Sequence, residues 1–180
     1  KRRVETFNRI MHGIAEENPN FLSVWVSWEV NALDSTYKKD YGRYRFTYYR
    51  ENGVLKYKQD TLNLDGDAIG GGYHNIKLSK QETMMDPYWF SYTEFSQQLL
   101  EASTAVPILE NGVFRGLFGL DIELSRYQVI GSQIHPFEGS YAIMLSNNGT
   151  IVSYPDDEQL GKPFAEIFPN ENEKHNITKR

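Results

Sequence analysis

The segment STAVPILENGVFRGLFGLDI, Ser103 to Ile122, decides the fold. Two β-prone runs flank Asn111-Gly112, and Asn-Gly in that setting favours a type I′ turn, because both central residues must accept positive φ. The device recurs twice. Asn52-Gly53 separates Arg43–Tyr49 from Val54–Tyr57, and Asn148-Gly149 separates Tyr141–Leu145 from Thr150–Tyr154. Three hairpin signals predict an antiparallel sheet. Further upstream, Leu22, Val24 and Val26 alternate with Ser23, Trp25 and Ser27, which predicts another strand. Val4, Phe7, Ile10, Met11 and Ile14 share one helical face, and Asn18-Pro19 ends that helix. Leu124, Tyr127, Val129 and Ile130 predict a second helix, over Glu123 to Ser132, stopped by His135-Pro136. Asp60 to Tyr92 contains Gly70-Gly71-Gly72 and reads as a mobile or closely approached loop. The class is therefore α+β, with one complete unit over residues 1–135 and the opening hairpin of another.

Composition narrows the function. The 180 residues carry 19 Lys plus Arg against 24 Asp plus Glu, a formal charge of −5, which argues against a partner recognised through a phosphate backbone and so against nucleic acid. Zero cysteines exclude a disulfide scaffold, thiolate metal sites and a cysteine nucleophile. His12, His74, His135 and His175 show no metal-ligand spacing, and Asp65-Gly66-Asp67 lacks the twelve-residue calcium loop, so neither a metal nor a cofactor is expected. The glycine run has no Lys-Ser/Thr pair after it, so it does not read as a phosphate cradle. No apolar run approaches the roughly 18 residues of a membrane span, and the chain reads as a soluble piece of something longer.

Two features bear on a ligand. Asp121 sits in an otherwise apolar strand, on the face of Arg115, Leu117 and Gly119, where a carboxylate is expensive unless a cation meets it. That cation is either an arginine of a neighbouring strand or the ammonium group of a ligand. Aromatics make up 14% of the chain, enough for Trp25, Trp28, Tyr44, Tyr48, Tyr73, Tyr88 and Trp89 to wall a pocket, although each of them fits an aromatic core as well. Arg43, Arg45 and Arg50 suit either a ligand carboxylate or an exposed strand face. Two other functions fit the same residues: a small hydrolase using two loop carboxylates, and an adhesion or scaffold domain whose aromatics are all core.

Four blocks, VSWEVNALDSTYKKDYGRYRFTYYRENG, MMDPYWF, STAVPILENGVFRGLFGLDIEL and AIMLSNNGTIVSYPDDEQLGKPF, come in an order that resembles the double Cache sensor domains of bacterial chemotaxis receptors and sensor histidine kinases. The resemblance covers residues 21–168. It implies a PAS-like antiparallel sheet with flanking helices, and no catalysis in this segment. It also implies an N-terminal helix (1–19) rising from a membrane span, a membrane-distal ligand-binding module (20–135) and the start of a membrane-proximal module (136–180). The parent protein would be a membrane-anchored receptor with this part on the periplasmic, extracytoplasmic side, and the N-terminal helix would support a homodimer. By position Asp121 matches the late Asp that takes an ammonium group in amino-acid and amine receptors of this kind. Tyr88 matches the tyrosine of their "PY" segment, and Tyr73 that of a Trp-Tyr pair. Gly71 and Gly72 stand where the carboxylate-clamping Arg and its Trp belong, and Phe90 replaces an Asp. The expected site is thus Asp121, Tyr88, Tyr73, Trp25, Trp28 and Trp89, with Arg45 among the possible replacements for the clamp. The expected ligand is a small amine- or amino-acid-like metabolite.

Overall fold

The computed structural model describes residues 2–94 and 96–178. Lys1, Phe95, Lys179 and Arg180, which the expected module bounds include, lie outside the described residues. The chain divides into two compact units. One holds the described residues up to Met85 together with Ser103–Ile122, and the other holds Asp86–Ala102 and the described residues from Glu123 onward.

In the first unit, α1 (Arg2–Glu17) precedes β1 (Ser23–Glu29), the single turn α2 (Val30–Leu33), β2 (Arg43–Glu51), β3 (Val54–Leu62), α3 (Gly72–Ser79) and β4 (Thr83–Met84). A three-residue strand, β5 (Tyr88–Phe90), opens the second unit, and then β6 (Leu99–Glu110) and β7 (Val113–Glu123) run back into the first. The sheet order is β3-β2-β1-β7-β6-β4, with β1 antiparallel to both β2 and β7.

Central position explains why β1 is buried along its length. Val24, Val26 and Trp28 face a core that Met11, Ala15 and Phe46 complete, and Phe7 meets the Trp28 ring edge-on at 4.9 Å between centroids. Helix α1 supplies Val4, Phe7, Met11 and Ile14 to that face as expected. Ile10 is half exposed, because at 100° per residue it falls about 90° from the centre of the stripe. Asn18 closes the helix by donating Nδ2 to the Ile14 carbonyl at 2.8 Å, and Pro19 then stops it.

Two of the three hairpins follow the sequence reading. Asn52 and Gly53 have φ of 53° and 78°, Asn111 and Gly112 have 51° and 77°, and both turns sit between paired strands. The third differs. At Asn148-Gly149 only the glycine has positive φ, and the Asn148 side-chain Oδ1 accepts from the Thr150 amide (3.0 Å) and hydroxyl (2.7 Å). The side chain makes that turn.

Asp60 to Tyr92 is not the loop throughout that its glycines suggest. Helix α3 starts after Gly71 and lays Tyr73 and Ile76 against Phe114, Leu117, Ala105 and Trp25, on the face of the sheet opposite α1. Full burial of one such side chain contributes about 1.5–3 kcal/mol, which anchors a two-turn helix too short to persist alone.

In the second unit, β5 pairs with the start of β6, and Leu100, Leu124 and Val152 form a small core with Tyr127, Met144 and Leu160. Helix α4 (Ser125–Gly131) packs on the hairpin of β8 (Met144–Leu145) and β9 (Ile151–Ser153). A Cβ at Gly131 would fall 1.9 Å from the Ser153 Oγ, so that approach requires glycine. Helices α5 (Phe164–Ile167) and α6 (Pro169–His175) complete the unit. Among the described residues, no helix is long and apolar enough to cross a membrane.

Candidate functional site

Alternation along β1 puts Ser23, Trp25, Ser27 and Glu29 on the face that α3 covers. Asp121 joins them from β7, directly across from Ser23. Asp121 is 4% exposed, and its carboxylate accepts hydrogen bonds from three first-unit side chains: the Ser23 hydroxyl on Oδ2, and on Oδ1 the Trp25 indole Nε1–H (2.8 Å) and the Ser103 hydroxyl (2.6 Å). Donors from β1 and β6 thus fix both oxygens. Gly119 makes the Trp25 pose possible. It lies across from Trp25, and a Cβ there would fall 2.2 Å from the indole ring. The missing side chain is the slot in which the indole lies flat on its way to Asp121.

Further along β1, Glu29 centres a second polar cluster. Its side chain is 3% exposed; Tyr73 donates its hydroxyl to Oε1 at 2.5 Å, and Lys77 reaches Oε2 at 3.1 Å. Lys77 also bridges to Asp67 at 2.9 Å and to the Asp40 carbonyl. The Arg43 guanidinium lies 4.0 Å over the Tyr73 ring. Burial raises the Glu29 carboxyl, against the hydrogen bonds from Tyr73 and Lys77. Burial, with the Glu29 charge beside it, drives the Tyr73 phenol far above its usual range, so this hydroxyl remains a donor. Burial also lowers Arg43.

The expected site residues are therefore dispersed. Asp121 and Trp25 meet, and Tyr73 lies in the Glu29 cluster. Trp28 belongs to the α1 face and is fully buried in that core, so it does not share the face of Asp121. Arg45 pairs with Asp60 at 2.9 Å. Tyr88 and Trp89 stand on β5 in the second unit, Tyr88 across from the buried Glu101 and Trp89 half exposed. A cleft of about 590 Å³ lies on the α1 face between His12, Glu16, Tyr48, Arg50, Leu55, Lys56 and Tyr57; of the candidate ligand residues only Tyr48 and Arg50 line it, and Asp121 does not. Sequence reasoning missed Ser23, Ser103, Glu29, Asp67 and Lys77. One signal existed for two of them: Ser23 and Glu29 share the two-residue period of Trp25, so a polar row on a strand buried on both faces has to find partners.

No family profile matches the chain. Over 92% of its length it is 29% identical to the methyl-accepting chemotaxis protein TlpQ of Pseudomonas aeruginosa, and it spans 26% of that protein. Among solved structures it is similar to the extracellular domain of the histidine kinase mmHK1S-Z2, with a TM-score of 0.75, 26% identity, and 96% of this chain and 65% of that one covered. The periplasmic sensory domain of the Campylobacter jejuni chemoreceptor Tlp1 shares the fold at 14% identity and a TM-score of 0.70, with 96% of this chain and 63% of that one covered. The chain thus spans about a quarter of the curated relative and just under two thirds of these sensor domains. These relatives are sensor domains of receptors rather than enzymes. With a helix-backed antiparallel sheet and extracellular sensor domains of histidine kinases and chemoreceptors as its structural neighbours, the chain is consistent with a Cache sensor domain.

Proposed function

We propose that this chain is the extracytoplasmic ligand-sensing part of a membrane-anchored bacterial receptor, and that it takes a small cationic metabolite at Asp121. The observation that carries the reading is the buried Asp121 carboxylate, oriented by three side-chain donors and flanked by the Trp25 indole. A fixed, buried carboxylate is what an ammonium group needs once it leaves water. An amine suits the site better than an α-amino acid. Gly71 and Gly72 leave no side chain where the carboxylate clamp belongs, Arg45 is engaged with Asp60, Arg50 donates to the Ala15 carbonyl, and Arg43 is stacked over the Tyr73 ring in the Glu29 cluster rather than beside Asp121. In this reading residues 20–135 form the membrane-distal module and residues 136–180 begin a second one. Signalling is a population shift: ligand contacts made in only one state of the distal module favour that state, and flanking helices carry the bias to the membrane.

A thermal-shift screen of primary amines, amino acids and organic acids tests this. One class, the amines, should raise the melting temperature. Calorimetric titration of the best amine into Asp121→Ala should then show binding weakened at least 100-fold with the domain still folded; wild-type affinity in that variant rules out the anchoring role.

A further inference from the structure

Lys77 is held as a bound ligand would be held. An ammonium group has three N–H donors, and here all three are used: one on Glu29 Oε2, one on Asp67 Oδ2 and one on the Asp40 carbonyl. The two carboxylates come from different parts of the fold, β1 and the segment before α3. The Glu29 and Asp67 side chains are 3% and 9% exposed, so the pocket for the ammonium is built rather than incidental. Tyr73 caps the remaining Glu29 oxygen, and Asn63 Nδ2 reaches the other oxygen of Asp67 at 3.3 Å. Arg43, over the Tyr73 ring, is the other cation facing the cluster. Net charge across Glu29, Asp67, Lys77 and Arg43 is zero.

We propose that Glu29, Asp67 and the Asp40 carbonyl form a primary-ammonium site that Lys77 occupies in cis, and that this occupancy is the latch holding α3 across the sheet. Among the described residues, two other long-range polar contacts hold the helix, the Tyr73 hydroxyl on Glu29 and, at its C-cap, Lys80 Nζ on the Gly112 carbonyl at 2.7 Å, but Lys77 alone ties it to two carboxylates and a backbone carbonyl at once. Its apolar side rests on Ile76 and Tyr73, in the same cluster as Trp25, so releasing the latch uncovers the indole that reaches Asp121. A buried ion pair of this kind adds little over an apolar pair of equal shape but fails once either partner leaves, which suits a contact that must open. This goes beyond the sensor reading and does not depend on what Asp121 binds.

Hydrogen exchange of the amides from Asn75 to Lys80 tests it without any receptor ligand. In Lys77→Ala these amides should exchange at least tenfold faster than in wild type. Adding n-propylammonium, which matches the atoms removed, should recover at least a third of the lost protection on a logarithmic scale. Tetramethylammonium has no N–H and should recover none. Unchanged exchange in Lys77→Ala overturns the latch, and equal recovery by both cations overturns the ammonium site. If Lys77→Ala loses its native circular dichroism, Asp67→Asn carries the test: faster exchange in the same amides supports the latch, and the wild-type rate refutes it.

Discussion

Glu29 shows how one buried acid couples this fold to pH. Its folded carboxyl lies above the ordinary value of 4.5 because burial outweighs the hydrogen bonds from Tyr73 and Lys77. The folded state therefore holds the proton more tightly than the unfolded chain. The stability this confers is complete below pH 4.5 and is lost as pH rises through the folded value. Chemical unfolding of wild type and Glu29→Gln across that window should show the wild type falling relative to the variant as pH rises; a constant difference would mean that the shift is absent. Gly119 gives a steric prediction on the same face. Gly119→Ala drives a methyl group into the Trp25 ring and should cost about 1–3 kcal/mol while changing the indole fluorescence. At this scale the sequence exposed Asp121, because a carboxylate in an apolar strand stands out. It offered Trp25 for the same site but not the contact between them. Trp25 meets Asp121 only through the β1–β7 register that sets Trp25 opposite Gly119, and no local pattern encodes a pairing 94 positions apart.

Elements whose stability is local were legible, and those held by distant contacts were not. Helix α1 and the two Asn-Gly hairpins of the first unit follow from periodicity and turn chemistry within a few residues. Helix α3 has only Tyr73 and Ile76 on its inner side and sits behind three glycines, so its pattern is too short to separate from a loop. What makes it a helix is the sheet beneath it and the ionic contacts of Lys77. Ile76 is 2% exposed, and Ile76→Ala should therefore cost about 2–5 kcal/mol in urea unfolding. Leu78, on the same helix but 69% exposed, is the matched control: Leu78→Ala should change stability by no more than about 0.5 kcal/mol. If the two substitutions cost the same, α3 is not seated on the sheet through Ile76.

At the scale of the whole chain, the division into two units could not be read from composition, because residues 86–102 join the unit of the C-terminal residues through pairings remote in sequence. Strand β5 pairs with β6 across Tyr88 and Glu101, and the Leu124 amide donates to the Leu100 carbonyl at 2.9 Å. Asp121, Ser23, Trp25, Ser103 and α3 all belong to the first unit, so a ligand held at Asp121 as proposed would stabilise that unit directly. An amine at 100 times its dissociation constant adds about 2.7 kcal/mol to the state that binds it. For a chain of this size that corresponds to a rise of roughly 5–10 °C in melting temperature. Hydrogen exchange should then show slowed amides in β1, β7 and α3, with the second unit changing less, and Asp121→Ala should erase the slowing in the first unit. Protection centred instead on β5 and α4 would move the binding site away from Asp121, because a ligand protects first the strands whose side chains it touches.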